Sequence, residues 1–301
     1  MRSPRRGYAL VLAAAAAWST TGLWIRKAAE SGGFSALSLA FWRDLATALS
    51  LIAGLALLRP AWLRVQRRDL PWLVALGGLG VGTFHVLWNL SLLHLDVAIA
   101  TVLLYSAPVF VTLAARLIWH EPLTRPKIVA VILTLAGCVL AAGLDPAAGL
   151  SLTAGGLILG LSAALAYASF SLFSRHMTGR YSPWTVLTYG FGFGALVLLP
   201  FQLLSAPPAW PLPPQTWGWM AGLVYLCTIL PFGAYLSGML HLPVSVASIL
   251  AASEVVFAAV LGYLVFDETL RGWQVVGAAL VVAGVILLAV TGRTEQTVKS
   301  A

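Results

Sequence analysis

Long apolar runs separated by short polar connections dominate the chain. About 20 apolar residues cross a hydrocarbon core near 30 Å thick. Ten runs reach that scale, at 8–26, 35–58, 71–93, 97–119, 126–143, 153–174, 183–204, 216–238, 244–266 and 273–291. Stretches such as VLAAAAAW and LSLIAGLALL are continuously apolar, where a membrane β-barrel would alternate polar and apolar positions. The pattern predicts an all-α membrane protein of ten transmembrane helices. Only HLD joins the third and fourth runs, and HLP the eighth and ninth, so both pairs are expected to form tight hairpins.

The pattern repeats. His94–Ala142 returns without a gap as His241–Ala289, with 17 of 49 positions identical. Apolar residues match by chance, so the polar identities His94/His241, Ser106/Ser253 and Glu121/Glu268 carry more weight. A repeat of this length marks a duplicated half-protein, divided here as 1–147 and 148–301. Lys and Arg then set the orientation. With the N-terminus inside, the inner segments hold 13 basic residues and the outer ones only Arg26, Lys27 and Arg271. Both termini are therefore expected in the cytoplasm. Five spans per half is an odd number, so the halves are expected to be inverted, an arrangement typical of transporters.

Composition agrees: 60% of residues are hydrophobic, 9% are charged and the mean hydropathy is +0.90, against roughly 25% charged in soluble proteins. The net charge of +8 is carried by the short connections and reads as topology rather than nucleic-acid binding. Arg2, Arg5 and Arg6 ahead of YALVLAAAAAW imitate a secretory signal. Leu10–Lys27 has a counterpart in Leu159–His176, however, with Trp18 opposite Tyr167, so retention is expected. Cys138 and Cys227 lie within apolar runs and read as packing residues. GGLGVG (77–82) follows no strand and is not a nucleotide loop. The pairs Gly78/Gly82, Gly156/Gly160, Gly190/Gly194 and Gly218/Gly222 are expected to allow close helix packing.

Pro-Val-Phe (108–110) leading to His-Glu-Pro-Leu (120–123) returns as Ser-Glu-Val-Val-Phe (253–257) leading to Asp-Glu-Thr-Leu (267–270). With ten spans in a five-plus-five repeat, this resembles the drug/metabolite transporter superfamily, EamA type, over nearly the whole chain. The overall pattern is most similar to bacterial amino-acid exporters, including those for aromatic amino acids. Val255 stands where that family commonly has proline, which leaves a kink matching Pro108 unassured in the ninth span. The resemblance implies a cavity between spans three, four, eight and nine, with one, two, six and seven around them.

Polar and aromatic residues concentrate in those spans. Phe84/Trp88 and His85/Asn89 are i,i+4 pairs and give span three a mixed strip. Pro231, Phe232 and Tyr235 mark span eight, Tyr105, Ser106 and Pro108 span four, Ser253 and Glu254 span nine, and Trp18, Tyr167 and Ser171 spans one and six. Glu254 lies mid-span, where charge is costly. It is a candidate proton site or ammonium partner, or an acid hydrogen-bonded to a neighbouring helix. His85 is able to shuttle protons or to make a structural interhelical bond, and Asn89 is similar. Arg43 is read as balancing Asp44 or Glu254, with a substrate carboxylate as the alternative. Trp18, Phe84, Trp88, Tyr105, Tyr167 and Tyr235 are candidate rings for stacking or cation–π contact, whereas Trp62, Trp72, Trp184, Trp210, Trp217 and Trp273 read as interfacial belts. Pro108 and Pro231 are candidate hinges.

His120-Glu121-Pro122 lacks the second histidine of a zinc protease motif, and no Walker motif is present. No enzyme activity, cofactor or metal is expected. The expected protein is a multi-pass exporter of amino acids in the bacterial inner membrane, with a small-molecule substrate and lipid as its partners and no nucleic acid. It would work by alternating access, with the substrate's charged ends met by His85, Asn89, Ser253 and Glu254. A drug or small-metabolite effluxer is the alternative on the same fold, and a passive channel or membrane receptor the alternative from another class.

Overall fold

The computed structural model describes residues 3–142, 153–205, 211–266 and 271–300, omitting the side chains of 266 and 292–300. Among the described residues the regular structure is entirely helical. Nine stretches are long and apolar enough to span a membrane. We number them α1 (Pro4–Gly32), α2 (Ala36–Leu58), α3 (Arg67–Ser91), α4 (Val97–Trp119), α6 (Ala154–Thr178), α7 (Pro183–Leu204), α8 (Pro214–Met239), α9 (Val244–Val265) and α10 (Gly272–Thr291). Between α4 and α6 lies α5 (Arg125–Ala141), 17 residues long, which at 1.5 Å per residue reaches about 25 Å and completes the ten. The predicted boundary between halves at 147/148 lies outside the described residues, as do Trp210 and Glu268.

The helices are interrupted at repeat-related places. π-helical turns replace regular helix at Gly78–Thr83 in α3 and at Tyr225–Ile229 in α8, starting 147 positions apart. α4 breaks at Tyr105–Ser106 and α9 at Ala252–Ser253. Pro108 follows the first break, yet the second forms without proline. What the two share is serine: Ser106 Oγ donates to the Leu103 carbonyl at 2.6 Å, and Ser253 Oγ to that of Leu250 at 2.7 Å. A hydroxyl satisfying a carbonyl of its own helix competes with the regular ladder. α1 breaks likewise after Trp18, where Ser19 and Thr20 hydroxyls bond the Ala16 and Ala17 carbonyls at 2.7 and 2.8 Å. α6, its counterpart, runs unbroken.

Each half relies on the other for its packing. α3 packs against α6 and α7 of the second half, and α8 against α1 and α2 of the first, while α2 meets α7, α5 meets α10 and α4 meets α9. Such reciprocal pairing is what a two-fold relation between inverted halves requires. The α5–α10 seam shows it at atomic scale. A Cβ at Gly137 would lie 2.6 Å from the Gly277 carbonyl, and one at Gly284 would lie 3.1 Å from that of Ala130. Ala130 and Gly277, like Gly137 and Gly284, are 147 positions apart, so the two contacts are one contact repeated. Of the predicted small-residue pairs, Gly78 and Gly218 meet no close neighbour, because they face away from the adjacent helix, while their partners Gly82 and Gly222 pack tightly.

The face bearing the N-terminus is cross-linked by charge. Asp69 accepts hydrogen bonds from Arg180 and from the Tyr181 hydroxyl at 2.7 Å, tying the α2–α3 connection to the α6–α7 connection. Glu121 Oε1 accepts from the Val244 amide at 3.1 Å, and its other oxygen from the Ser245 hydroxyl and Lys127. Glu121 thus caps α9, a favourable place for an anion. On the opposite face the halves are linked by neutral hydrogen bonds, from Thr216 to Ser31 at 3.0 Å and from Ser38 to Gln202 at 2.6 Å.

Candidate functional site

Mid-span in α2, Asp44 is fully buried, a position that requires partners. Its Oδ1 accepts from the Arg43 guanidinium at 3.2 Å, and its Oδ2 lies 3.0 Å from His85 Nδ1, off the ideal hydrogen-bond axis. The Arg43 Nη2 closes the circuit against His85 Nε2. One turn on, the Asn89 side chain donates to the backbone carbonyl of His85 at 2.7 Å and takes no part in the network. Arg43, Asp44 and His85 therefore form one polar network across α2 and α3. Of the two balancing partners expected for Arg43, the structure shows Asp44.

His85 presents this network to a small cavity of about 20 Å³. Gly80, Val81 and Phe84 of α3 line it from the first half, with Tyr167 and Phe170 of α6, Phe191 of α7 and Phe232 of α8 from the second. Phe232 is the hub of its aromatic wall. The ring lies edge-on to Trp18, Phe170 and Phe191 at centroid distances of 4.9, 5.2 and 5.2 Å, the favoured aromatic geometry. Phe84 leans on Tyr167 at 5.3 Å. Behind Trp18, Tyr235 shares a hydrogen bond of 2.9 Å with Ser171. The π turn brings α3 against α6 here: a Cβ on Gly80 would lie 2.7 Å from the Phe170 Cα, so this wall closes only around glycine.

The repeat explains how one cavity acquires two characters. Ser35 and Ser182 cap α2 and α7 in the same way, accepting from the amides of Ser38 and Thr185. Both this pair and the two π turns fix the offset at 147 positions. At that offset Asp44 corresponds to Phe191, and His85 to Phe232. The polar Asp44–His85 pair thus has an edge-to-face phenylalanine pair as its mirror image. The cavity has a polar pole and an aromatic pole at equivalent places on a repeated backbone.

The remaining expected residues divide. Trp18, Phe84, His85, Tyr167 and Tyr235 belong to this cluster. Trp88 instead packs with Leu92 and Leu103 against Leu95, Ile99 and Ala100. Asn89 and Ser253 use their side chains on backbone carbonyls. Glu254 stands in a second group, within electrostatic reach of Tyr105, Tyr167 and Cys138. Among the described residues its carboxyl has no hydrogen-bond or ion-pair partner, and Tyr167 joins it to the cavity. Pro108 lies in the first turn of Ala107–Trp119, and Pro231 follows the α8 π turn. The sequence does not single out Phe170 or Phe191, and points to Asp44 only as a balancing partner of Arg43. Phe170 is one turn beyond Tyr167, a usable signal, whereas Phe191 is visible only through its repeat relation to Asp44. Among the described residues no three His, Cys, Asp or Glu side chains converge to hold a metal ion.

The sequence matches the EamA-like transporter family over residues 5–143 and 154–290, one match in each half. The chain belongs to that family. An uncharacterized transporter of Archaeoglobus fulgidus is 31% identical over 95% of this chain and 97% of its own length. A probable terminal-alkyne amino-acid exporter of Streptantibioticus cattleyicolor is 27% identical over 96% of this chain and 94% of its own. The threonine/homoserine exporter RhtA of Salmonella typhimurium is 27% identical over 84% of each chain. A crystal structure superposes with a TM-score of 0.82 at 20% identity, over 97% of this chain and 99% of that one, which supports the fold.

Proposed function

We propose that this family member exports amino acids, aromatic ones among them, by alternating access around the two-pole cavity. The observation that carries the reading is the pairing of Asp44–His85 with Phe191–Phe232 across one space. An amino acid is itself two-poled, with a zwitterionic head and an apolar or aromatic tail. Arg43 and Asp44 offer a cation and an anion behind His85, complementary to carboxylate and ammonium. The rings of Phe84, Tyr167, Phe170, Phe191 and Phe232 offer stacking to the tail. The cavity, at about 20 Å³, is far below the 300–1,000 Å³ of typical ligand sites, so loading requires the halves to move apart, with the α3 and α8 π turns and the prolines Pro108 and Pro231 as flexure points. Two relatives named as amino-acid exporters support the class.

Glu254 is assigned as the proton-coupling carboxyl, on the ground of its missing partner and its link through Tyr167. The basic residues clustered on the N-terminal face support cytoplasmic termini in a bacterial inner membrane. Uptake of a labelled amino-acid panel into proteoliposomes, with and without a pH gradient, tests the reading. Saturable uptake above empty liposomes, with mutual competition among aromatic substrates, is expected. Absence of amino-acid flux from folded protein would reject the amino-acid assignment in favour of another small metabolite. Flux without saturation or competition would indicate a channel.

A further inference from the structure

A larger space lies away from the central cavity, on the membrane-facing side of α2. It measures about 480 Å³ and is lined by Ser50, Leu51, Gly54, Leu55 and Leu58 of α2, then Arg59, with Trp62 and Trp184 flanking its end. From Ser50 to Arg59 it follows nine helical steps, about 13.5 Å at 1.5 Å per residue, close to one leaflet of a 30 Å hydrocarbon core. The apolar length is therefore that of a single monolayer. Two indoles stand where the headgroup level begins. Arg59 is exposed at the mouth and has no acidic partner among the described residues. Beyond it Arg64, Arg67 and Arg68 follow before the first acid, Asp69, which is already engaged by Arg180 and Tyr181. The mouth is held in shape by Thr185, whose hydroxyl donates to the Trp62 carbonyl at 2.8 Å, and by Tyr189, which donates to that of Leu63 at 2.7 Å.

We propose that this groove is a binding site for an anionic phospholipid, with one acyl chain along α2 and the headgroup phosphate on Arg59. Charge complementarity selects the occupant: an uncompensated guanidinium at the end of an apolar groove one leaflet deep takes a phosphate whose own net charge is negative. The groove reaches the α8 π turn through the 3.1 Å contact between the Ser50 and Tyr225 hydroxyls. A bound chain therefore lies one side chain, Ser50, from one of the proposed flexure points.

Native mass spectrometry of the purified transporter, titrated with phosphatidylglycerol or phosphatidylcholine, tests this. Wild type is expected to bind phosphatidylglycerol several-fold more tightly. Arg59→Gln is expected to remove about fivefold of that preference, the equivalent of roughly one basic residue at a membrane surface. Arg26→Gln, on the opposite face, is expected to leave it unchanged. Gly54→Leu fills the groove from a position with no neighbour within 4 Å of a built Cβ, so it leaves the helix packing intact and weakens both lipids. Equal binding of the two lipids to wild type, or a preference that survives Arg59→Gln, would mean ordinary annular lipid and overturn the site.

Discussion

The aromatic pole gives the sharpest test of the substrate reading, and Phe232 is the residue to perturb. Its ring makes three edge-to-face contacts, to Trp18, Phe170 and Phe191. Such pairs are worth about 0.5–1.5 kcal/mol each beyond burial, so the upper bound for all three is about 1.5–4.5 kcal/mol. Leucine restores much of the volume but none of the ring geometry. Phe232→Leu should therefore cost about 1–2 kcal/mol of stability, leaving a folded protein with a lower melting temperature. If the ring also meets the substrate's aromatic tail, losing that contact should remove a further ~1–3 kcal/mol of binding, or roughly 5- to 150-fold in apparent affinity for aromatic substrates. A small aliphatic amino acid, which does not fill that pole, should be transported with little change. The assay is competition by phenylalanine and by threonine against one labelled substrate in proteoliposomes, beside a melting curve for each variant. A loss of equal size for both competitors would mean that Phe232 only supports the fold, and the two-pole argument would fail.

Three further outcomes follow from the geometry. Glutamine at 254 mimics the protonated acid at every pH, so Glu254→Gln should transport as wild type does at low pH and lose its response to a pH gradient; a retained response would remove Glu254 from coupling. Asp69→Asn should loosen the link between the α2–α3 and α6–α7 connections, raising hydrogen–deuterium exchange in 59–69, where the Gln66 amide is bonded to the Tyr181 hydroxyl. Unchanged exchange there would show that the link is not needed for closure. Gly137→Leu should force α5 from α10, because even a Cβ would lie 2.7 Å from Val281 Cγ2; a cost of about 1–3 kcal/mol is expected, and a melting temperature equal to wild type would contradict the seam.

Much of the scaffold was legible in the chain because the membrane imposes length: spans of fixed scale, hairpins too short for anything else, and a repeat whose polar identities survived. Those identities now have physical meanings. Ser106 and Ser253 bond the carbonyls freed at two helix breaks, and Glu121 caps α9. The cavity was less legible. A helix buried in lipid and protein is apolar all round, so no amphipathic face points to the interior. Trp88 and Phe84 share a stripe on paper, but only Phe84 reaches the cavity. The α3 π turn sets Gly80 against α6 and Gly82 against α7, a tertiary fact that no local pattern records.

An inverted repeat with identical halves would make its two alternating states equal in energy, since each state would be the other seen from the opposite face. Whatever bias this protein has must therefore come from positions where the halves differ. The two faces differ in kind. Asp69 and Arg180 are joined on the N-terminal face, whereas Thr216, the repeat counterpart of Asp69, is joined to Ser31 on the other. A carboxylate–guanidinium pair with a tyrosine donor added is a stronger tie than neutral hydrogen bonds such as Thr216–Ser31 and Ser38–Gln202, so the chemistry favours closure at the N-terminal face. The same reasoning applies inside. Asp44–His85 against Phe191–Phe232 gives a symmetric backbone a chemically directed cavity, so a two-poled substrate has one preferred orientation in it. On the proposed alternating-access cycle the consequence is concrete: the repeated backbone would supply the motion, and the few unmatched residue pairs its direction and its cargo.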